Sequence, residues 1–96
     1  NYEPKVWTLA RLAMTGREPF EFSVSISLEI YKKNKRRSDI DNVLKAISDA
    51  CNGVVYVDDS QINEIHAVRQ QSEQPYIKVT VAGKRYVELI TKRKSP

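Results

Sequence analysis

The chain has 96 residues, 41% apolar and 29% charged, which fits one globular domain burying roughly 60–65% of its unfolded surface around a modest core. Sixteen basic against twelve acidic residues leave a net charge of +4 and a pI near 9.3, a balance that suits a polyanionic partner such as nucleic acid. The lone Cys51 excludes an internal disulfide or a multi-cysteine zinc site. A transmembrane run and a signal-peptide pattern are both missing, so a reducing, cytoplasmic setting without a membrane is expected.

The chain starts at Asn1 and enters a helical pattern almost at once, so an upstream segment is expected to be missing. Tyr2 to Met14 reads as a helix beginning at Pro4, where a proline lacks only an N–H that has no intrahelical acceptor. Val6, Leu9, Ala10, Ala13 and Met14 form its apolar stripe, and Gly16 ends it. Trp7 lies at the stripe's edge and reads as core or dimer surface.

Phe20 to Tyr31 is the clearest strand. Phe20, Phe22, Val24, Ile26, Leu28 and Ile30 alternate with polar or amphipathic residues over twelve positions. That period of two predicts one buried face, and the length predicts a central or strongly twisted strand. A loop without apolar residues follows, Lys32-Lys33-Asn34-Lys35-Arg36-Arg37. It holds five of the sixteen basic residues and reads as either a solvated charge run or a phosphate contact.

Ser38 to Cys51 is the second helix, with Ser38 or Asp39 as its N-cap. Ile40, Val43, Leu44, Ile47, Ala50 and Cys51 make the buried stripe, and Gly53 is the C-terminal stop. Cys51 reads as a core residue. Val54 to Val57 is a brief extended segment and Asp58-Asp59-Ser60 a turn. Gln61 to Gln70 reads as a strand, with Ile65 and Ala67 on one face and His66 and Val68 on the other. Tyr76 to Val81 is expected to pair back on it as a hairpin, with Ile77, Val79 and Val81 inward. Arg85 to Thr91 fits a helix or a strand, and Lys92 to Pro96 a frayed tail. The expected fold is α+β, a small mixed sheet of three to four strands packed against two helices, as one domain over residues 1–96.

Two acidic pairs bracket the second helix. If Asp39 caps the helix, its carboxylate curls over the start and converges with that of Asp41. A turn returning alongside would add Asp58 or Asp59. Carboxylates held together repel unless a cation sits among them, and hard oxygen donors select Mg²⁺ or Mn²⁺. The same residues also make sense as ordinary structure: a helix cap, a surface ladder of Asp41, Lys45 and Asp49, and a polar turn. His66 reads as a strand residue without a catalytic part.

The segment Asp39-Ile40-Asp41-Asn42-Val43-Leu44-Lys45, followed by Asp58-Asp59-Ser60-Gln61-Ile62, resembles the signature of the RusA family of Holliday junction resolvases. That signature is Asp-x-Asp-Asn-x-x-Lys, then Asp-Asp-x-Gln and an apolar residue. The likeness runs in order from about Phe20 to Val81. It implies a small, basic, homodimeric, Mg²⁺-dependent endonuclease (Mn²⁺ as the alternative) acting on branched DNA, without a small-molecule cofactor. Such proteins are bacterial and often encoded by prophages. Carried over by residue, Asp39, Asp41, Lys45 and Asp59 match the catalytic set. Asp39, Asp41 and Asp59 would be the metal ligands, with Asp58 as a substitute. Lys32, Lys33, Lys35, Arg36 and Arg37 would contact DNA phosphates. Ser38 departs from the family, where this position is often basic or proline. The family's usual N-terminal strand is absent, in keeping with a missing upstream segment. The alternative is a non-catalytic nucleic-acid-binding module of the same fold.

Overall fold

The computed structural model describes residues 3–33 and 40–91. Helix α1 spans Glu3–Ala13 and helix α2 Ile40–Cys51. The strands are β1 (Val24–Lys32), β2 (Ile62–Gln71), β3 (Tyr76–Ala82) and β4 (Tyr86–Ile90). They form one mixed sheet in the order β2-β1-β3-β4. The fold is α+β, two helices and four strands.

Strand β1 sits in the middle because its apolar face is the longest. Val24, Ile26, Leu28 and Ile30 are all at most 1% exposed. Strand β2 pairs with it in parallel, with α2 in the connection, since parallel neighbours need a long crossover. The chain then steps across the end of β1. Ser72 donates its backbone N–H to the Lys32 carbonyl at 2.7 Å, and β3 runs back antiparallel on the far side of β1. Strand β4 completes a hairpin with β3. Ile77, Val79 and Val81 of β3 and Val87 and Leu89 of β4 continue the buried face. Onto it pack Val6, Ala10 and Met14 of the first helical segment and Val43, Ile47, Ala50 and Cys51 of α2.

Several expectations change. The long strand begins at Val24, not Phe20. Phe20 is buried and forms an isolated bridge with Tyr56, while Phe22 is 67% exposed. The period of two breaks there because the Phe20–Phe22 backbone is taken up by the Val55–Gln61 segment and not by the sheet. Val54 to Val57 is correspondingly a turn, with Tyr56 bridging to Phe20 and Asn52. The predicted β2–β3 hairpin does not form, because each strand takes one edge of the more apolar β1. Ile65 does share a face with Ala67, opposite Ile26 and Leu28, yet it stays half exposed on the edge strand. Trp7 is also half exposed, with the Arg11 guanidinium 5.0 Å above its ring. The 85–91 segment is a strand. Residues 34–39 and 92–96, which include the predicted cap and tail, lie outside the described residues. Among the described residues no helix is long and apolar enough to cross a membrane.

Candidate active site

Helix α2 faces two ways. Its buried side is Val43, Ile47, Ala50 and Cys51, and Asp41, Asn42, Lys45 and Asp49 are exposed. Asp41, Lys45 and Asp49 recur every four residues, so they line one stripe about 12 Å long. That stripe is not a closed ladder of ion pairs. Among the described residues the salt bridge is elsewhere, Lys78 to Glu88 at 3.5 Å. Lys45 and both carboxylates have no ion-pair partner among the described residues.

The second acidic pair lies on a single turn of 3₁₀ helix, Asp59–Gln61, capped by Asp58. The Asp58 carboxylate accepts the Ser60 N–H at 3.0 Å, and the Gln61 side chain accepts the Asp58 N–H at 2.8 Å. This is a capping box, in which cap and third residue satisfy each other's backbone. The bonds from Ser60 hold the Asp58 carboxyl below its ordinary pKa of 3.8. Asp59 is exposed, and its carboxylate has no hydrogen-bond or ion-pair partner among the described residues.

Tyr56 connects the turn to α2. It is fully buried, and its hydroxyl donates to the Ser48 carbonyl at 2.9 Å. Burial pushes its pKa up to about 12, the bond with Ser48 opposes the shift, and the charges of Cys51, Asp59 and Asp49 add to it. The turn that carries Asp59 follows the C-terminal end of α2, while Asp41 lies in its first turn, so the structure sets the two carboxylates at opposite ends of the helix and does not bring them together as expected. Among the described residues no group of three or more His, Cys, Asp or Glu side chains is placed to hold a metal ion. Asp39, the third carboxylate of the predicted set, lies outside the described residues. Asp41 and Asp59 each offer the hard oxygen donors that a divalent cation takes, but they stand apart on opposite ends of α2. Asp58 suits it less, because one of its oxygens is committed to the cap.

Lys32 ends β1 half-buried and Lys33 follows it, exposed. Lys35, Arg36 and Arg37 lie outside the described residues. His66 is exposed on β2, and Cys51 is buried with its thiol pushed up to about 12 by desolvation, which makes it a core residue and a poor nucleophile. One organising residue was under-read in the sequence. Gln61, expected as the first residue of a strand and part of the family signature, belongs instead to the capped turn, and β2 starts at Ile62; the Asp58-x-x-Gln61 spacing is itself the pattern of a capping box.

The chain matches the profile of the endodeoxyribonuclease RusA family over residues 1–82. It belongs to that family. The match takes in α1, β1, α2, the Asp58–Gln61 turn, β2 and β3, so both halves of the acidic pattern lie within it. A curated relative, the uncharacterized protein YqaN of Bacillus subtilis (strain 168), is 36% identical over 45 residues. Those residues are 47% of this chain and 32% of YqaN, so the match spans about a third of that relative.

Proposed function

We propose that the chain is a Mg²⁺-dependent, structure-specific endodeoxyribonuclease that resolves four-way DNA junctions. The observation that supports this reading is the family's acidic and lysine pattern in the sequence, of which Asp41 and Lys45 are exposed on α2 and Asp58 and Asp59 on the capped turn. A domain that needed only positive charge for DNA would have no use for unpaired carboxylates beside a basic loop.

The family resemblance assigns Asp39, Asp41 and Asp59 to the cation, with Mn²⁺ as an alternative and Asp58 as a substitute ligand, although within the described residues Asp41 and Asp59 stand at opposite ends of α2 and are not assembled into one site. When bound, the metal would polarise the scissile phosphate and acidify a water molecule. Lys45 is exposed on the same helix stripe as Asp41, and its ammonium would neutralise charge building on the phosphate oxygens in the transition state. Lys32, Lys33, Lys35, Arg36 and Arg37 would grip backbone phosphates, which fixes position without reading sequence. Symmetric nicking of a junction calls for two active sites facing two strands of like polarity, and a two-fold homodimer supplies them. Such an enzyme would work in the cytoplasm, in recombination and repair.

The test is a labelled synthetic four-way junction against a linear duplex of matching sequence, with Mg²⁺ and with EDTA. Paired nicks in the junction, present with Mg²⁺ and lost with EDTA, are expected. Binding of the junction without cleavage would replace this reading with the non-catalytic binding module. Neither binding nor cleavage would return the aspartates to caps and turns.

A further inference from the structure

The Phe20–Phe22 segment, outside the sheet, forms one wall of a groove of about 620 Å³, and the β3–β4 turn at Gly83, Lys84 and Arg85 forms the other. That volume lies in the ordinary range of small-ligand sites. Each wall is fixed. The Gln61 amide nitrogen donates to the Phe20 carbonyl at 2.7 Å and to the Phe22 carbonyl at 2.8 Å. Arg85 donates to the Glu18 carbonyl at 3.0 Å, and its guanidinium lies 5.5 Å from the centre of the buried Phe20 ring. Gly83 closes the turn by donating to the Arg85 carbonyl at 2.8 Å. A Cβ at Gly83 would stand 3.3 Å from the Phe20 ring, so glycine lets the two walls approach. The backbone is thus held on both sides, yet the Phe22 ring is 67% exposed, with the Lys84 ammonium 5.1 Å from its centre. The second wall lies beyond residues 1–82, which match the family profile, so the family pattern does not define this groove.

We infer that this groove seats one unpaired nucleotide of a DNA strand: the base stacks on the Phe22 ring, and the Lys84 ammonium takes the neighbouring phosphate. The inference rests on the chain acting on DNA, as proposed above. An exposed aromatic ring on a fixed backbone is a stacking platform for any base, because every base has a π-face. A cation beside the ring meets the phosphate linked to that base and fixes its position. Charge narrows the occupant. Glu18 and Glu21 line the groove along with Lys84 and Arg85, two carboxylates against two cations. A duplex, with one phosphate charge per ~1.7 Å of its axis, would carry that charge past both carboxylates. A single unpaired nucleotide brings one phosphate, which Lys84 matches. The groove also borders the acidic turn, because Asn63 lines it and Gln61 is bonded to its wall. A strand held here runs beside the turn that carries Asp59.

The experiment measures binding of a single-stranded oligonucleotide, a duplex and a four-way junction in EDTA, with folding checked by circular dichroism. The single strand carries 5-iododeoxyuridine for photocrosslinking. Irradiation of the wild-type complex is expected to join that base to Phe22, read by mass spectrometry of the digest. No crosslink, or one confined to residues outside the groove, overturns the inference. Phe22→Ala should weaken single-strand binding roughly 5-fold or more, while Phe22→Tyr keeps wild-type affinity and duplex binding stays unchanged in both. Lys84→Ala should lower the salt slope for the single strand by about 0.7. Wild-type single-strand affinity in folded Phe22→Ala overturns the groove and leaves the endonuclease reading standing on wild-type junction cleavage. If Phe22→Ala instead changes the molecular mass seen by light scattering, the groove is an interface between copies and the inference falls. If Phe22→Ala unfolds, the wild-type crosslink decides. A wild-type chain that binds none of the three DNAs overturns the endonuclease reading, and this inference with it.

Discussion

Single side chains on the acidic stretches each make their own prediction. Asp41 is exposed in the first turn of α2 and has no ion-pair partner among the described residues. Asp41→Asn is expected to abolish junction cleavage while leaving junction binding in EDTA intact or tighter, as read by gel shift. Persistent cleavage would remove Asp41 from the catalytic set. Lys45→Ala should cut kcat by roughly 10²–10³, the usual loss when one charge-stabilising donor is removed. Asp58 is a support. Its folded pKa is depressed by the bonds from Ser60, so its capping contribution is present above the unfolded value and lost as pH falls through the lower folded value. Thermal melts should show Asp58→Ala less stable than wild type at about pH 6, with the gap closing as the pH drops below the ordinary 3.8. A gap that persists in strong acid would contradict the capping role.

The elements that hold the site are β1, α2 and the turn between α2 and β2. Strand β1 supplies the fully buried Leu28, flanked by β2 and β3. Leu28→Ala should therefore cost about 2–5 kcal/mol by chemical denaturation, a large core loss. Tyr56 ties the turn to α2 through one neutral hydrogen bond, so Tyr56→Phe should cost about 0.5–1.5 kcal/mol. Gly53 carries a φ of +78° and donates to the Tyr56 carbonyl at 2.8 Å. The chain reverses there in the left-handed region, which a side chain enters only at a cost.

For the whole molecule the governing quantities are charge and symmetry. A net charge of +4 with a basic run at the end of β1 predicts junction binding that weakens steeply with salt. Lys33→Ala should lower the slope of log affinity against log salt by about 0.9, one phosphate contact. An unchanged slope would place Lys33 outside the DNA contact. One face of the sheet carries the helices. The other bears Ser25, Ser27, Glu29 and Tyr31 of β1 and Tyr76, Lys78 and Thr80 of β3. There Tyr31 stacks on Tyr76 with ring centroids 4.4 Å apart. The Glu29 carboxylate accepts from the Tyr31 hydroxyl, which pushes the tyrosine pKa up to about 12.

Local pattern determined a good part of this protein. Both helices, the buried faces of β1 and β3, the core place of Cys51 and the acidic family signature follow from spacings of two, three and four residues, because such spacings decide which side chains share a face. Strand partners were decided only in three dimensions. The strands β2 and β3 are neighbours in the chain, yet both pair with β1, because the strand with the longest buried face takes the centre and short-range sequence does not encode that competition. Phe22 looked like one more inward residue of a regular alternation. Tertiary bonds from Gln61 and Val57 pulled its segment out of the sheet and turned the ring to solvent. The sequence names Asp41, Lys45 and Asp59 as candidates, since the residue types and their order are local facts. That the Asp59 turn sits beyond the end of α2, and that a glutamine holds it to the Phe20–Phe22 backbone some forty residues earlier, depends on backbone carbonyls that no side-chain pattern reveals.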